Sequence, residues 1–250
     1  MNNTYQFNAA HATEKCAAWV KKWFDKNGPD CKAVIGISGG KDSSVAAAIL
    51  VKALGKDRVF GVLMPQGRQT DIEDSEQLVR HLGIESITVN IGETCNALQH
   101  AIQPQLDYKW SDQTNTNMPP RIRMTTLYAV SQTVNGRVCN TCNYSEDYIG
   151  YSTRYGDSVG DFSPLSGFTV EEVKLIGRYL ELPINLIDKT PADGLCGKTD
   201  EDNLGFTYQM LDDYLRRKIQ PPADIKAKID AMHKKNLFKL RLMPAFTYLG

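Results

Sequence analysis

One short run, residues 36–43 with the sequence GISGGKDS, constrains the fold of this chain more than any other feature. It lies between an apolar, strand-like stretch, Lys32 to Ile37, and an alanine-rich, helical stretch, Val45 to Leu54. Glycine tolerates positive φ and lets a backbone approach a ligand closely. A strand, a glycine turn and a helix start can direct backbone N–H groups and the positive helix end at a phosphate. The run predicts a phosphate-binding turn, and the alternative is a tight turn with a serine cap.

This run is not a Walker A loop. That pattern needs a glycine five residues before the Gly-Lys pair and a serine or threonine after it. Those positions hold Ile35 and Asp42. The hydroxyls of Ser38 and Ser43 can bind phosphate, and the Asp42 carboxylate can bind a metal ion. We therefore predict a nucleotide site of a different type.

Three strand-then-helix units make up the first half of the chain. Their strands and helices are predicted at 32–37 with 45–54, 58–64 with 72–82, and 86–91 with 93–106. Strands that alternate with helices favour an α/β fold with a doubly wound, mainly parallel sheet and helices on both faces. An amphipathic helix precedes them, with Trp19, Trp23 and Phe24 predicted as core. Ligands of such sheets bind beyond the carboxyl ends of the strands.

The second half alternates long polar segments with helices. We predict loops at 107–120, 144–166 and 189–202, and helices at about 122–135, 169–180, 204–215 and 225–232, with a short strand at 137–139. Loops this long inside a compact domain are often functional. They predict a substrate site, and the segment 189–202 is a candidate lid. No linker divides the chain, so one domain is expected.

The charge balance argues against polyanionic partners. The 250 residues include 29 basic and 29 acidic side chains, for a formal net charge of zero. No apolar run approaches the roughly 18 residues of a membrane span, and no secretory signal is visible at the N-terminus. Six scattered cysteines fit reduced thiols better than a disulfide framework. We expect a cytoplasmic protein that binds neither nucleic acid nor membrane.

Three groups of residues are candidates for chemistry. Asp42 and Glu146 are predicted at one sheet edge, where they could bind magnesium or remain two solvated acids. Cys139 and Cys142 form a CxxC that could be a redox pair or half a zinc site, although inert thiols are the default. The loop 151–161 could bind a charged aromatic ligand or simply stabilise itself.

Together these segments resemble the ammonia-dependent NAD synthetases, which carry an ATP-pyrophosphatase loop written SGGxDS. The resemblance covers nearly the whole chain and rests on residues 36–43, 121–124, 141–146, 150–161, 189–195, 199–201, 204–205 and 233–234. It implies an adenine nucleotide alpha-hydrolase-like fold across residues 1–250, without a glutaminase domain. It also implies ATP-dependent amidation of deamido-NAD by ammonia through an adenylated nicotinate, with release of AMP and pyrophosphate.

The resemblance also implies roles for individual residues. Asp42 and Glu146 would bind Mg²⁺ and support catalysis. ATP would contact Gly36, Ile37, Ser38, Gly39, Gly40, Lys41, Asp42, Ser43 and Thr141. Deamido-NAD would contact Arg121, Arg154, Asp161, His233 and Lys234. Relatives of this kind are typically homodimers, and a separate amidotransferase partner remains an alternative source of ammonia.

The chain departs from the family pattern at several positions. Val170 and Ala192 stand where many relatives offer lysine and threonine to ATP, and Lys174 is a possible substitute for the lost cation. Arg154 replaces a lysine found in many relatives, which could make that contact bidentate.

Two rival functions stay open at this point. A tRNA sulfur-transferase of the same superfamily would use Cys139 and Cys142, although the chain lacks a long basic run. A non-catalytic ATP-binding domain would need only the glycine turn.

Overall fold

A parallel sheet of four strands forms the centre of the protein, as seen in a computed structural model that describes residues 5–69, 71–189, 199–241 and 243–248. The strands are β1 (Lys32–Gly36), β2 (Val59–Leu63), β3 (Glu85–Thr88) and β4 (Gly136–Cys139). Their spatial order is β3-β2-β1-β4. Ile35 of β1 lies in register with Gly61 of β2 and Cys139 of β4. The order reverses direction beside β1, so a topological switch point lies between β1 and β4.

Side chains of β1 alternate between two apolar layers. Ala33 and Ile35 enter one hydrophobic cluster, whereas Val34 enters the other. Successive side chains of a strand point to opposite faces of its sheet, so an uninterrupted apolar strand must be covered on both sides. This accounts for helices on both faces, as the sequence predicts.

The first face is covered by four helices. They are α1 (Ala9–Asn27), α2 (Lys41–Leu54), α3 (Ile72–Leu82) and α7 (Val170–Tyr179), and the short α8 (Ile184–Asp188) packs beside them. The opposite face is covered by α4 (Gly92–Ile102) and α5 (Asp112–Thr133).

A smaller apolar cluster, called here the C-terminal cluster, joins the remaining helices. These helices are α6 (Tyr144–Ile149), α9 (Asp200–Leu204), α10 (Tyr208–Asp212) and α11 (Ala223–Asn236). The buried members of the cluster are Ile149, Val170, Leu204, Phe206, Tyr208, Leu211 and Ile229. The cluster lies next to the segment that follows β4 and thereby supports the sheet edge where the candidate site was predicted.

The second part of the predicted loop at 107–120 is wrong. Residues from Asp112 onward are helical, and Pro119 and Pro120 lie inside α5. Each proline removes one helical hydrogen bond. Ser111 caps the helix start by accepting from Thr114 N, and burial of Pro119 with the packing of Met118 on the core offsets that loss.

Other boundaries also differ from the sequence prediction. Helix α2 begins at Lys41 rather than Val45, because Gly40 is extended and caps it. The predicted loop 144–166 begins with α6, and the predicted helix 204–215 is divided into the end of α9, α10 and a π-turn at Asp213–Arg217. Trp19, predicted as core, is 45% exposed. Most of the candidate lid, including Ala192, lies outside the described residues.

Across the described ranges, no helix has the length and apolar content needed to cross a bilayer.

Candidate active site

The turn after β1 has the geometry that its glycines predict. Gly39 has φ +76°, and a Cβ there would lie 2.7 Å from the Asp74 Cβ and 2.9 Å from the Ser75 nitrogen. Only glycine fits without displacement of helix α3. The hydroxyls of Ser38 and Ser43 lie 3.1 Å apart, and Ser43 Oγ also accepts from Ser38 N at 3.3 Å. The turn therefore places two linked hydroxyls beside the N-terminus of α2, with Ser38 exposed and Ser43 buried.

The residues of the turn differ in their exposure. Ile37 donates its N–H to Val62 O at 2.9 Å and buries its side chain in the core. Gly36 is the last residue of β1. Ser38 is the first exposed residue of the turn.

A second turn, between β4 and α6, meets the first at the switch point. Asn143 caps α6 in a capping box with Glu146, accepting from Glu146 N at 3.0 Å. The Asn143 Nδ2 group donates to Asp42 Oδ1 at 3.0 Å. One asparagine therefore holds both predicted metal ligands in place. Thr141, the predicted adenosine contact, lies half-buried in the same turn.

Lys41 brings the two carboxylates to a common point. Its Nζ atom lies 2.7 Å from Asp42 Oδ2 and 3.9 Å from Glu146 Oε1, and its side chain is only 3% exposed. Burial alone would lower the pKa of Lys41, but the Asp42 and Glu146 carboxylates raise it above its usual range. The ammonium is therefore charged at neutral pH. The sequence placed Lys41 in the ATP loop without revealing this contact.

The carboxylate pair has the donor chemistry that magnesium requires. Asp42 and Glu146 both direct an oxygen atom at the Lys41 ammonium. Mg²⁺ is usually held by one or two carboxylates together with phosphate oxygens and water. Within the ranges that the structure covers, no group of three acidic, histidine or cysteine side chains converges to form a complete metal cage. Burial, and then the Asp42 charge, raise the pKa of Glu146, while Lys41 opposes this shift.

Tyr208 is a member of this site that the sequence prediction assigned to an apolar helix face. Its ring centroid lies 5.9 Å from Lys41 Nζ, and the residue is 3% exposed. Its hydroxyl is buried, with no hydrogen-bond partner among the described residues. Burial, and then the Glu146 charge, raise the pKa of Tyr208 well above its usual range, so the hydroxyl stays protonated.

Arg121 and Arg154, both predicted to contact a dinucleotide, lie side by side. Arg121 Nε donates to Arg154 O at 3.2 Å. The Arg154 guanidinium stacks 4.9 Å from the Tyr155 ring centroid and 5.1 Å from that of Phe238. These contacts join helix α5, the loop 151–161 and the chain after α11 into one cationic and aromatic surface.

The other three residues predicted to bind the dinucleotide have different surroundings. His233 Nδ1 lies 2.7 Å from Tyr148 O, and its ring stacks on Tyr148 with centroids 4.1 Å apart. Asp161 accepts from Tyr128 at 3.2 Å and from Val138 N at 2.7 Å. Lys234 is exposed on α11. His233 and Asp161 thus each serve the fold as well as any ligand.

The CxxC cysteines have the properties of structural thiols. Cys139 is 2% exposed and Cys142 is 5% exposed, and burial raises the pKa of each thiol well above its usual range. Cys142 donates to Asp157 O at 3.2 Å. A buried thiol that stays protonated is a weak nucleophile, which argues against sulfur transfer. Among the described residues, neither cysteine belongs to a group of three side chains that could hold a metal ion.

Val170, the first residue of helix α7, is an apolar residue of the core. Val170 is buried in the C-terminal cluster. Lys174 is half-buried one turn further on. Lys41 is the lysine whose ammonium contacts both acids.

The sequence predicted the two acids and the glycine turn as parts of the site, but it did not predict Asn143 or Tyr208 there. A signal for Asn143 exists, since asparagine followed three residues later by glutamate is a capping-box spacing. No local signal identifies Tyr208, because its contacts come from segments distant in the chain.

A parallel sheet with this turn and this acid pair at its switch point is typical of adenine-nucleotide enzymes of the ATP-pyrophosphatase class. The sequence profile described as NAD synthase matches residues 12–246. The chain belongs to the NAD synthase family.

Individual relatives agree with this assignment. The chain is 36% identical over 243 residues to the NH3-dependent NAD(+) synthetase of Alkaliphilus metalliredigens strain QYMF, covering 94% of this chain and 97% of the relative. The NMN synthetase of Francisella tularensis superposes with a TM-score of 0.89 at 33% identity, covering 97% of this chain and 100% of that structure. The NH3-dependent NAD synthetase of Campylobacter jejuni superposes with a TM-score of 0.77 at 28% identity, again covering 97% of this chain and 100% of that structure.

Proposed function

We infer that this protein is a carbon–nitrogen ligase that converts deamido-NAD to NAD with ATP and ammonia. The observation that carries the proposal is the meeting of the glycine turn with Asp42 and Glu146 at the switch point, in a chain of the NAD synthase family. ATP is the co-substrate, and the reaction releases AMP and pyrophosphate.

The chemistry requires activation of a carboxylate. One nicotinate oxygen attacks the α-phosphorus of ATP, pyrophosphate leaves, and an acyl-adenylate forms. Ammonia then attacks the acyl carbon, AMP departs with the bonding electron pair and the former carboxylate oxygen, and the nitrogen loses a proton to solvent. No covalent protein intermediate is needed, so catalysis depends on positioning and electrostatics.

The residues divide between the two substrates. The N-terminus of α2 and the hydroxyls of Ser38 and Ser43 bind the ATP phosphates, and Thr141 contacts the adenosine. Asp42 and Glu146 would hold Mg²⁺, which supplies positive charge to phosphate oxygens when bound. The dinucleotide binds at Arg121 and Arg154, with Asp161, His233 and Lys234 as further contacts.

Conservative changes at the acid pair test this assignment. Asp42→Asn and Glu146→Gln should each abolish AMP formation with ATP, ammonium and deamido-NAD, while circular dichroism shows a folded protein. Full activity in either variant would remove that residue from the active site.

A mononucleotide is a second candidate for the acid substrate. The NMN synthetase of Francisella tularensis superposes better than the NAD synthetases compared with it, at a TM-score of 0.89 against 0.77. Both substrates carry the same nicotinate carboxylate, so the adenylation chemistry would be unchanged. Competition between nicotinic acid mononucleotide and deamido-NAD, scored as kcat/KM for each, decides which one the enzyme prefers.

We further propose that the enzyme is a cytoplasmic homodimer that uses free ammonia. An apolar strip of exposed side chains supports the dimer, namely Leu98, Ile102, Leu106 and Tyr108. The buried, unpaired thiols among the described cysteines fit a reducing compartment. Sedimentation velocity should give twice the chain mass, and a Tyr108→Asp variant should shift the equilibrium toward monomer.

A further inference from the structure

The position of Lys41 is unusual for a cation. It is the first residue of helix α2, where the backbone dipole disfavours positive charge, and its side chain is 3% exposed. A buried ammonium at a helix N-terminus needs compensating anions. Asp42 and Glu146 are those anions, at 2.7 and 3.9 Å.

The surroundings limit where this ammonium can go. The Tyr208 ring lies 5.9 Å from Lys41 Nζ, and Val170 and Leu204 belong to the same apolar cluster as Tyr208. Lys41 Nζ therefore faces carboxylates on one side and an aromatic ring on another. The ammonium lies next to the two side chains that a divalent cation would need.

We propose that Lys41 is a positioning residue that couples metal binding to nucleotide binding. This inference rests on the proposed function, in which Asp42 and Glu146 hold the metal. In the free enzyme the ammonium partly neutralises the pair and competes with a divalent cation. When ATP arrives, its phosphate oxygens provide an alternative partner for the ammonium, and the carboxylates become available to the metal.

Charge counting supports the coupling. With Asp42 and Glu146 both ionised, the pair and the ammonium carry a net charge of −1, and Asp200, which interacts electrostatically with Lys41 and Glu146, adds a further negative charge. A divalent cation at the pair would be repelled by the adjacent ammonium, whereas the nucleotide phosphates attract both cations. Because the pocket is largely buried, this difference is screened only weakly by salt. Metal alone should therefore bind weakly, and metal with nucleotide should bind well.

Binding of Mn²⁺ tests the proposal without reference to catalysis. Free Mn²⁺ is measured by electron paramagnetic resonance in titrations of the nucleotide-free enzyme. Lys41→Gln should bind Mn²⁺ about tenfold more tightly than wild type, because one nearby positive charge is gone. Lys41→Arg keeps the charge and should bind as weakly as wild type. The matched control is Lys52→Gln, which removes a surface lysine of the same helix α2 that pairs with Glu14 of α1.

Several results would overturn the proposal. Unchanged or weaker Mn²⁺ binding by Lys41→Gln would do so, because general damage to the site cannot produce the predicted gain in affinity. Absence of Mn²⁺ binding in every variant would remove the metal pair itself. If Lys41→Gln does not fold, Mn²⁺ binding by the wild-type enzyme is compared with and without a non-hydrolysable ATP analogue. Equal Mn²⁺ affinity of the enzyme in the two cases would refute the coupling. The amidation assay tests the proposed function separately, so an active enzyme that fails the Mn²⁺ test refutes only the role of Lys41.

Discussion

The side-chain amide of Asn143 donates a hydrogen bond to the carboxylate of Asp42 at 3.0 Å, joining two turns that lie 101 residues apart in the chain. The same asparagine accepts from Glu146 N. The two acids of the candidate active site are thus positioned by a single residue, which is itself fully buried.

Replacement of Asn143 should separate its two roles. Asn143→Ser keeps a hydroxyl that can cap α6 but is too short to reach Asp42, so we expect a higher KM for ATP with little loss of stability. Asn143→Ala also loses the cap and should cost about 1 kcal/mol more in the free energy of unfolding. Steady-state kinetics and urea denaturation measure the two effects. Wild-type kinetics in Asn143→Ser would show that the contact with Asp42 does not matter.

The stability of the free protein should depend on pH through Glu146. Burial, and then the Asp42 charge, raise the pKa of Glu146 from 4.5 to about 8. Between these values the folded state binds more protons than the unfolded state, so this group's contribution to stability falls as pH rises. The Tm of Glu146→Gln minus the Tm of wild type should therefore increase as the pH rises from about 5 to about 8.

Thermal melts at the two pH values check this sign. Glu181→Gln, an exposed carboxylate, is the control and should show no such gain. A constant difference in Tm between Glu146→Gln and wild type would contradict the proton linkage.

Much of the fold followed from the chain itself, but parts of the site did not. A strand was predicted at each of the four positions where one is found, although β3 ends at Thr88 and the prediction extended it to residue 91. The first half of α5 was missed, because Pro119 and Pro120 usually end helices, and here tertiary packing outweighs that local preference. Tyr208 was assigned to the core by its helical spacing, and only tertiary structure brings its ring to 5.9 Å from Lys41 Nζ.

The glycine turn should tolerate no side chain at Gly39. Gly39→Ala combines positive φ with a contact of 2.7 Å to Asp74 Cβ. Gly67 has φ +73° but open space around it, so Gly67→Ala should cost only the conformational strain, about 1 kcal/mol. Gly167 has neither restriction in the structure, and Gly167→Ala should be nearly neutral. Urea denaturation should rank the three losses in that order. Equal stability of Gly39→Ala and Gly67→Ala would contradict the close approach of α3.

Removal of the Tyr208 hydroxyl, which has no partner among the described residues, should not destabilise the protein. Its removal in Tyr208→Phe leaves no broken hydrogen bond to described residues, so the free protein should keep its stability or gain about 1 kcal/mol. Tyr214→Phe is the control, because Tyr214 donates to Asp230 Oδ1 at 3.2 Å and should lose stability. Calorimetry on both variants measures the difference. Equal destabilisation by the two changes would mean that the Tyr208 hydroxyl has a partner in the free protein.

The transfer of a carboxylate oxygen to AMP tests the account most directly. Deamido-NAD labelled with ¹⁸O in both oxygens of the nicotinate carboxylate is incubated with the enzyme, ATP and ammonium, and the products are analysed by mass spectrometry. Attack on the α-phosphorus predicts one ¹⁸O in AMP, one in the NAD amide and none in pyrophosphate. Release of unlabelled AMP, or the appearance of label in pyrophosphate or inorganic phosphate, would contradict adenylation at this site.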